Sequence, residues 1–226
     1  VRLASTRFPE KALASLDGRP LVLHVLERCI QATSLDEVVV ATDHSRIARV
    51  VEGAGGKVFM TRHSHRCGTD RVWEVASKGD WSAIVNIQGD QPRVNPGTID
   101  ACVEALWADD VDMVTAASPL QDLSAPSTVV RVVTDPKQFA VSFSRTTDLK
   151  RGFHRRHLGV YAFRRSVLED FARRAPSSGE IRENLEQLRV LEYGGRIKVV
   201  CVESAAPSVD QPSDLEALKA WQIREE

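Results

Sequence analysis

Two spacings of apolar residues alternate along this chain. Leu21, Val22, Val25, Leu26 and Cys29 fall three and four apart, which predicts a helix over 19–31. The apolar run Val38–Ala41 ends at Thr42 and Asp43 and predicts a short buried strand. A helix then starts with Ser45 as its expected N-cap and is stopped by Gly53, Gly55 and Gly56. Residues 57–61 predict a strand and 69–79 a helix capped by Thr69 or Asp70. A strand at 83–88 ends in the turn GDQP, and a helix at 96–108 and a strand at 112–118 follow. Strand, polar turn and helix repeated in this way predict an α/β fold with a mainly parallel central sheet flanked by helices. Ligands of such sheets bind beyond the carboxyl ends of the strands, here the turns at 42–43 and 88–92.

The rhythm changes near residue 126. TVVRVVTD, QFAVSFSR and HLGVYAF follow with little helix between them, which predicts a smaller antiparallel extension over about 126–165 within a single domain of residues 1–226. Helices at 164–173, 183–193 and 212–223 and a strand at 196–204 close the pattern. A unit of this kind begins with a strand, yet Val1 opens on a loop. The link between Arg145 and His157 is also short and polar. Both places are expected to lack residues.

Charge narrows the function. Thirty basic residues against 31 acidic ones give a net charge of -1, which argues against a nucleic-acid partner. No apolar run reaches the ~18 residues of a membrane span, and the start is not a secretory signal. Cys29, Cys67, Cys102 and Cys201 form no CxxC pair and read as reduced thiols of a cytoplasmic protein.

Several clusters carry candidate chemistry. The opening VRLASTRFPEK places Arg2, Ser5, Thr6, Arg7 and Lys11 together; it is either a cradle for a polyphosphate or a solvated segment, and it is no P-loop. Asp90 ends a buried strand, where it reads either as a Mg²⁺ ligand or as a turn aspartate bonding its own backbone. Asp210 precedes a helix begun by Pro212, with Ser213 and Asp214 in its first turn, and reads alone as helix-start chemistry. His157, Gly159 and Tyr161 share one side of a strand, with space at the glycine. Glu186 and Gln187 flank the apolar stripe Leu185, Leu188 and Leu191. His63 and His65 read as a surface loop.

In order, RLASTRFPEKAL, VVVATD, CGTDRVWEV, VNIQGDQP, FSR, RHLGVYAF, LEQLRVLEYG and VDQPSDLEAL resemble the 3-deoxy-manno-octulosonate cytidylyltransferase family, the CMP-Kdo synthetases. The resemblance spans nearly the whole chain. It implies a nucleotidyltransferase-type sheet, Mg²⁺ as cofactor, a homodimer, and CMP transfer from CTP to a small 2-keto sugar acid with release of pyrophosphate. Arg2, Arg7 and Lys11 then fall where the family holds the triphosphate, with Ser5, Thr6 and Gln88 among the nucleotide contacts. Asp43, Gly68 and Arg71 help enclose the nucleotide. Asp90 and Asp210 match the metal-binding aspartates and, with Arg7 and Lys11, the catalytic set. Arg145, His157, Tyr161, Glu186 and Gln187 match the acceptor pocket, to which the antiparallel stretch contributes along with dimerisation. Cys67 replaces the usual serine, QGDQP the commoner QGDEP, and TTDLKRG the usual Ile-Pro continuation after FSR. That last change keeps an amino-Kdo or a phosphonate open as acceptor, and a catalytically silent nucleotide-binding protein is the reading from a different class.

Overall fold

The structure, a computed structural model, describes residues 1–3, 7–120, 129–145 and 153–225, with side chains of the last helix described to Trp221. After a 3₁₀ turn at Lys11–Leu13 come β1 (Ser15–Leu16), β2 (Arg19–Pro20), α1 (Leu21–Ile30), β3 (Val39–Thr42), α2 (Ser45–Gly53), β4 (Lys57–Met60), α3 (Gly68–Ala76) and β5 (Ala83–Ile87). Then follow α4 (Pro96–Leu106), β6 (Met113–Pro119), β7 (Arg131–Thr134), β8 (Ala140–Ser144), β9 (Phe153–Arg164) and α5 (Arg165–Arg173). The chain closes with α6 (Ser178–Glu183), α7 (Gln187–Glu192), β10 (Ile197–Cys201) and α8 (Ser213–Glu225). These elements form two compact units, one of Val1–Val75, Ile87–Asp100 and Ala205–Glu226, the other of Ala76–Asn86 and Ala101–Ser204.

The first unit is built on the parallel pair β3 and β4, in register from Val39 opposite Lys57 to Thr42 opposite Met60. Val22 and Leu26 of α1 and Ile47 and Val51 of α2 pack with Val40 of β3 into one cluster. Burying each of these side chains contributes about 1.5–3 kcal/mol. A second cluster joins Leu16 and Leu21 to Val209 and Leu218, so the last segment of the chain is packed beside the first. Asp17 and Gly18 both take positive φ, 50° and 78°, the two-residue turn that closes the β1–β2 hairpin. The Asp17-Gly18 pair is the sequence signal for this hairpin.

The second unit carries a sheet in the order β10-β6-β9-β7-β8, with β5 also paired to β9. Here the mainly parallel expectation is corrected to a mixed sheet. β10 runs parallel to β6, and β7–β8 and β7–β9 are antiparallel as expected of the stretch after residue 126, but β6–β9 is antiparallel as well. Hydrophobic rhythm identifies strands without saying which of them become neighbours, and the 12-residue β9 lies between β6 and β7.

Other local expectations also change. The helix expected at 183–193 is shortened to α7, because Asn184 takes a left-handed φ of 53° and ends α6 just before it. The cap of α2 is His44, whose Nδ1 accepts from the Arg46 N–H, rather than Ser45. At α3 the Cys67 sulfur accepts from the Asp70 N–H at 3.4 Å, so the cap precedes Thr69 and Asp70. Among the described residues no helix is long and apolar enough to cross a membrane.

Candidate active site

In the first unit, three stretches far apart in sequence converge. The loop of Phe8 to Glu10 turns tightly, with Glu10 at φ 57°, and presents Lys11 at the head of its 3₁₀ turn. Asp90 follows β5 in a turn whose Gln91 N–H donates to the Gln88 carbonyl. Asp210 lies just before α8. The Val209 N–H donates to the Asp90 carbonyl at 2.9 Å and ties these two loops together.

Lys11 Nζ sits 3.5 Å from Asp90 Oδ2 and 3.5 Å from Asp210 Oδ1. Arg7 reaches Asp210 Oδ1 at 3.1 Å. The helix-start reading of Asp210 is corrected by its neighbour. Asp214, in the first turn of α8, accepts the backbone N–H groups of Asp210 and Gln211 at 2.7 and 2.9 Å. Helix-start chemistry is thus done by Asp214, and the Asp210 carboxylate faces the two cations. The carboxylate of Asp90 likewise meets side chains, those of Lys11 and Gln91.

Burial pushes the Asp90 carboxyl above its ordinary range; Lys11 opposes the shift and the Asp210 carboxylate adds to it. Two carboxylates bracketing one ammonium form the donor set that a hard divalent cation takes. The ammonium occupies the point such an ion would hold, so the residues fit a divalent metal. No group of three or more acidic, histidine or cysteine side chains that would hold a metal occurs among the described residues, so such an ion would draw further ligands from water or phosphate.

The ends of β3 and β4 form a second constellation in the same unit. Arg71 of α3, 1% exposed, donates to Asp43 Oδ2 at 2.6 Å and also bonds the Thr61 hydroxyl. It pins together the carboxyl ends of both parallel strands, where Thr61 N–H also donates to the Thr42 carbonyl. The Nε of Arg71 is buried and makes no hydrogen bond among the described residues. Gly68 opens α3. Arg2 donates to the His65 carbonyl at 2.7 Å. The surface reading of His65 is corrected: its ring is buried against Glu74, whereas His63 remains exposed. Ser5 and Thr6 lie outside the described residues, as does the polar link 146–152.

The remaining expected residues belong to the second unit. His157 and Tyr161 lie on β9 with ring centroids 5.5 Å apart, and the Phe143 edge meets His157 at 5.1 Å. Tyr161 Oη lies 3.5 Å from Gln187 Oε1, and the buried Gln187 Nε2 makes no hydrogen bond among the described residues. Gln187 is held by its own helix. Arg189 of α7, fully buried, forms a two-pronged pair with Glu180, donates to the Phe171 carbonyl and stacks on the Phe171 ring. Arg145 follows β8, where Glu183 Oε2 accepts from its N–H at 3.2 Å and from the Ser144 hydroxyl at 3.1 Å. Glu186 sits at the start of α7. Burial, with Arg145 adding to it, pushes His157 down to about 3, so the ring is neutral at neutral pH. Glu183 and Thr115, which bonds His157 Nε2 at 2.8 Å, were missed in the sequence. The one signal was a hydroxyl inside an otherwise apolar strand.

A 320 Å³ cavity elsewhere in the second unit is lined by Asp170, Arg174, Arg189 and Tyr193 and contains none of the expected residues.

Comparison with known proteins gives the family. A family model described as cytidylyltransferase matches residues 1–199. A 3-deoxy-manno-octulosonate cytidylyltransferase of Geobacter metallireducens is 46% identical, covering 98% of this chain and 96% of the relative. Its counterpart in Geobacter sulfurreducens is 45% identical over 95% and 94%. Among solved structures, a CMP:2-keto-3-deoxy-manno-octonic acid synthetase complexed with CTP superposes with a TM-score of 0.91 at 34% identity, covering all of this chain and 97% of the other. With a family match over most of its length and relatives this similar, the chain belongs to the cytidylyltransferase family.

Proposed function

We propose that this enzyme transfers CMP from CTP to 3-deoxy-manno-octulosonate and releases pyrophosphate. The observation that carries the reading is Lys11 Nζ held equally by Asp90 and Asp210, beside Arg7. This is a cation site bounded by cations on the side where a polyanion would arrive. The named activities of the Geobacter relatives and of the CTP-bound synthetase support the same substrates.

The anomeric hydroxyl oxygen of the sugar acid attacks the α-phosphorus of CTP in line. The new O–P bond forms as the bond to the β-phosphate breaks, and the hydroxyl proton passes to water. Arg7 and Lys11 stabilise the charge that collects on the departing pyrophosphate. Asp90 and Asp210 would hold Mg²⁺, which when bound supplies positive charge for the reacting phosphate. Arg2 and Gln88, with Ser5 and Thr6, complete the triphosphate contacts. The Asp43–Arg71 pair and Gly68 shape the wall around the nucleotide. Arg145, His157, Tyr161, Glu186 and Gln187 bind the acceptor. The amide nitrogen of Gln187, which makes no hydrogen bond among the described residues, is a buried donor whose desolvation is repaid when a polar ligand arrives. We place the antiparallel stretch 126–165 at this pocket and at a homodimer contact. The four cysteines are free thiols, which suits a cytoplasmic enzyme.

The test is pyrophosphate release from CTP with Mg²⁺ against a panel of 3-deoxy-manno-octulosonate, its amino analogue and phosphonates. Turnover that peaks on 3-deoxy-manno-octulosonate is expected. A peak on another acid moves the acceptor, and CTP binding without turnover on any acid overturns the reading.

A further inference from the structure

Thr115 is fully buried in β6, with Met113, Val114, Ala116 and Ala117 around it in sequence, all buried and apolar. A hydroxyl in such a place needs partners. Its partners come from an irregularity in the neighbouring strand. Thr115 pairs with Tyr161, but the next residue, Ala116, pairs with Leu158. One step along β6 thus answers to three along β9, and Gly159 and Val160 stand outside the ladder. Thr115 Oγ1 fills the gap, lying 2.8 Å from the Val160 carbonyl oxygen and 3.4 Å from that of Leu158.

The same oxygen lies 2.8 Å from His157 Nε2. A threonine hydroxyl has one proton to give and two lone pairs. A carbonyl oxygen has none to give, so the short contact to Val160 requires the Thr115 proton. The hydrogen between Thr115 and His157 must then come from the ring. We infer that Thr115 is a positioning residue that fixes His157 as its Nε2–H tautomer and leaves the Nδ1 lone pair to accept a hydroxyl of the acceptor.

Three further features fit. The ring is held between the Phe143 and Tyr161 rings, which opposes a flip that would put a ring carbon where each nitrogen stands. His157 is neutral near pH 7, so a lone pair exists on one nitrogen. Gln187 Nε2, joined to His157 through Tyr161, offers a donor where His157 offers an acceptor. A polyhydroxy acid presents partners for both. The assignment of the lone pair to an acceptor hydroxyl rests on the acceptor-pocket reading above; the tautomer itself does not.

The experiment separates the two. Nitrogen-15 spectra of histidine-labelled full-length protein, without substrate, report which ring nitrogen of His157 is protonated, with His157→Gln identifying the signal. Wild type and Thr115→Ser are expected to show Nε2–H, and Thr115→Val, which keeps the shape and removes the hydroxyl, to lose that preference. In steady-state pyrophosphate release, Thr115→Val is expected to raise the acceptor KM about tenfold with the CTP KM unchanged, and Thr115→Ser to recover it. A wild-type spectrum showing Nδ1–H overturns the inference even if no variant folds. So does a Thr115→Val protein that keeps Nε2–H, or one that changes tautomer with an unaltered acceptor KM. Wild type that releases no pyrophosphate with any sugar acid overturns the proposed function instead, while the spectra still decide the tautomer.

Discussion

Asp90→Asn keeps the shape of the side chain and deletes one negative charge. Its Oδ2 lies 3.5 Å from Lys11 Nζ. Unit charges about that far apart interact by about 4 kcal/mol at an effective dielectric near 20. A quarter of the Asp90 side chain is accessible, and screening brings this to about 2 kcal/mol. A divalent cation carries twice the charge, which returns the figure to about 4 kcal/mol, or about three orders of magnitude in rate if expressed in the transition state. CTP also has contacts outside the carboxylates. Turnover is therefore expected to fall about 10²- to 10³-fold, and CTP affinity by less than about tenfold.

Stability supplies the control. Burial and Asp210 raise the Asp90 pKa, so ionised Asp90 costs folding free energy. Between the unfolded and the raised folded pKa, the folded chain holds a proton the unfolded chain has released, and stability falls as pH rises through that window. Asparagine removes both the cost and the slope, so the variant should melt no lower than wild type at pH 7. The assays are pyrophosphate release at saturating Mg²⁺, calorimetric CTP binding and thermal melting. Near-normal turnover, or a lowered melting temperature with a matching loss of CTP binding, would refute the assignment and make Asp90 a structural residue.

Arg71→Leu strands the Asp43 carboxylate without its buried partner and is expected to cost about 3–5 kcal/mol in urea unfolding; a loss under about 1 kcal/mol would mean the pair does not clamp β3 to β4. Glu183→Ala removes the oxygen that accepts from Ser144 and Arg145. It should raise the acceptor KM about tenfold and leave the CTP KM alone, with recovery in Glu183→Gln, whose amide oxygen accepts both bonds. His157 keeps its neutral form down to about pH 3, whereas in the unfolded chain it protonates near its ordinary value of 6.5. Its contribution to stability is thus lost as pH falls below about 6.5, and a His157→Gln variant should show a shallower acid limb in pH-dependent melting; an unchanged limb would count against a buried neutral ring.

Most elements were legible because each buries a stripe or a run. Val22, Leu26, Ile47 and Val51 announce their helices, and the apolar Val38–Ala41 its strand. Pairing was not legible. Nothing local in β9 says that it enters between β6 and β7, because neighbours are chosen by the packing of the whole unit. The break at Asn184 was hidden for a similar reason: the helical spacing of Leu185, Leu188 and Leu191 begins just after it and says nothing of the φ of 53° that ends the preceding helix. At the site, residue types alone favour turn chemistry for Asp90 and helix-start chemistry for Asp210; what they cannot show is that Asp214 takes the helix start and that Lys11 stands between the two carboxylates, because those contacts join segments distant in sequence. Thr115 and Glu183 act on strand ends and bulges formed by distant segments, so no spacing could have marked them.

The charges of that cluster lead to an opposite-sign test. Arg7 and Lys11 cancel Asp90 and Asp210 formally, so the nucleotide-free site is balanced, with the Lys11 ammonium where a metal would bind. On the proposed reading, the lysine competes with the metal for the same oxygens until a triphosphate draws it away. Lys11→Met removes the competitor and the phosphate ligand together. Divalent-ion affinity of the nucleotide-free protein, followed with Mn²⁺ by paramagnetic resonance, should rise about 30-fold, the equivalent of about 2 kcal/mol of screened repulsion. Pyrophosphate release should fall in the same protein. A lysine that merely braced the fold would weaken both on removal. If Mn²⁺ binds Lys11→Met no better than wild type, the ammonium does not stand in the metal's place, and the case that Asp90 and Asp210 share one cation loses its physical ground.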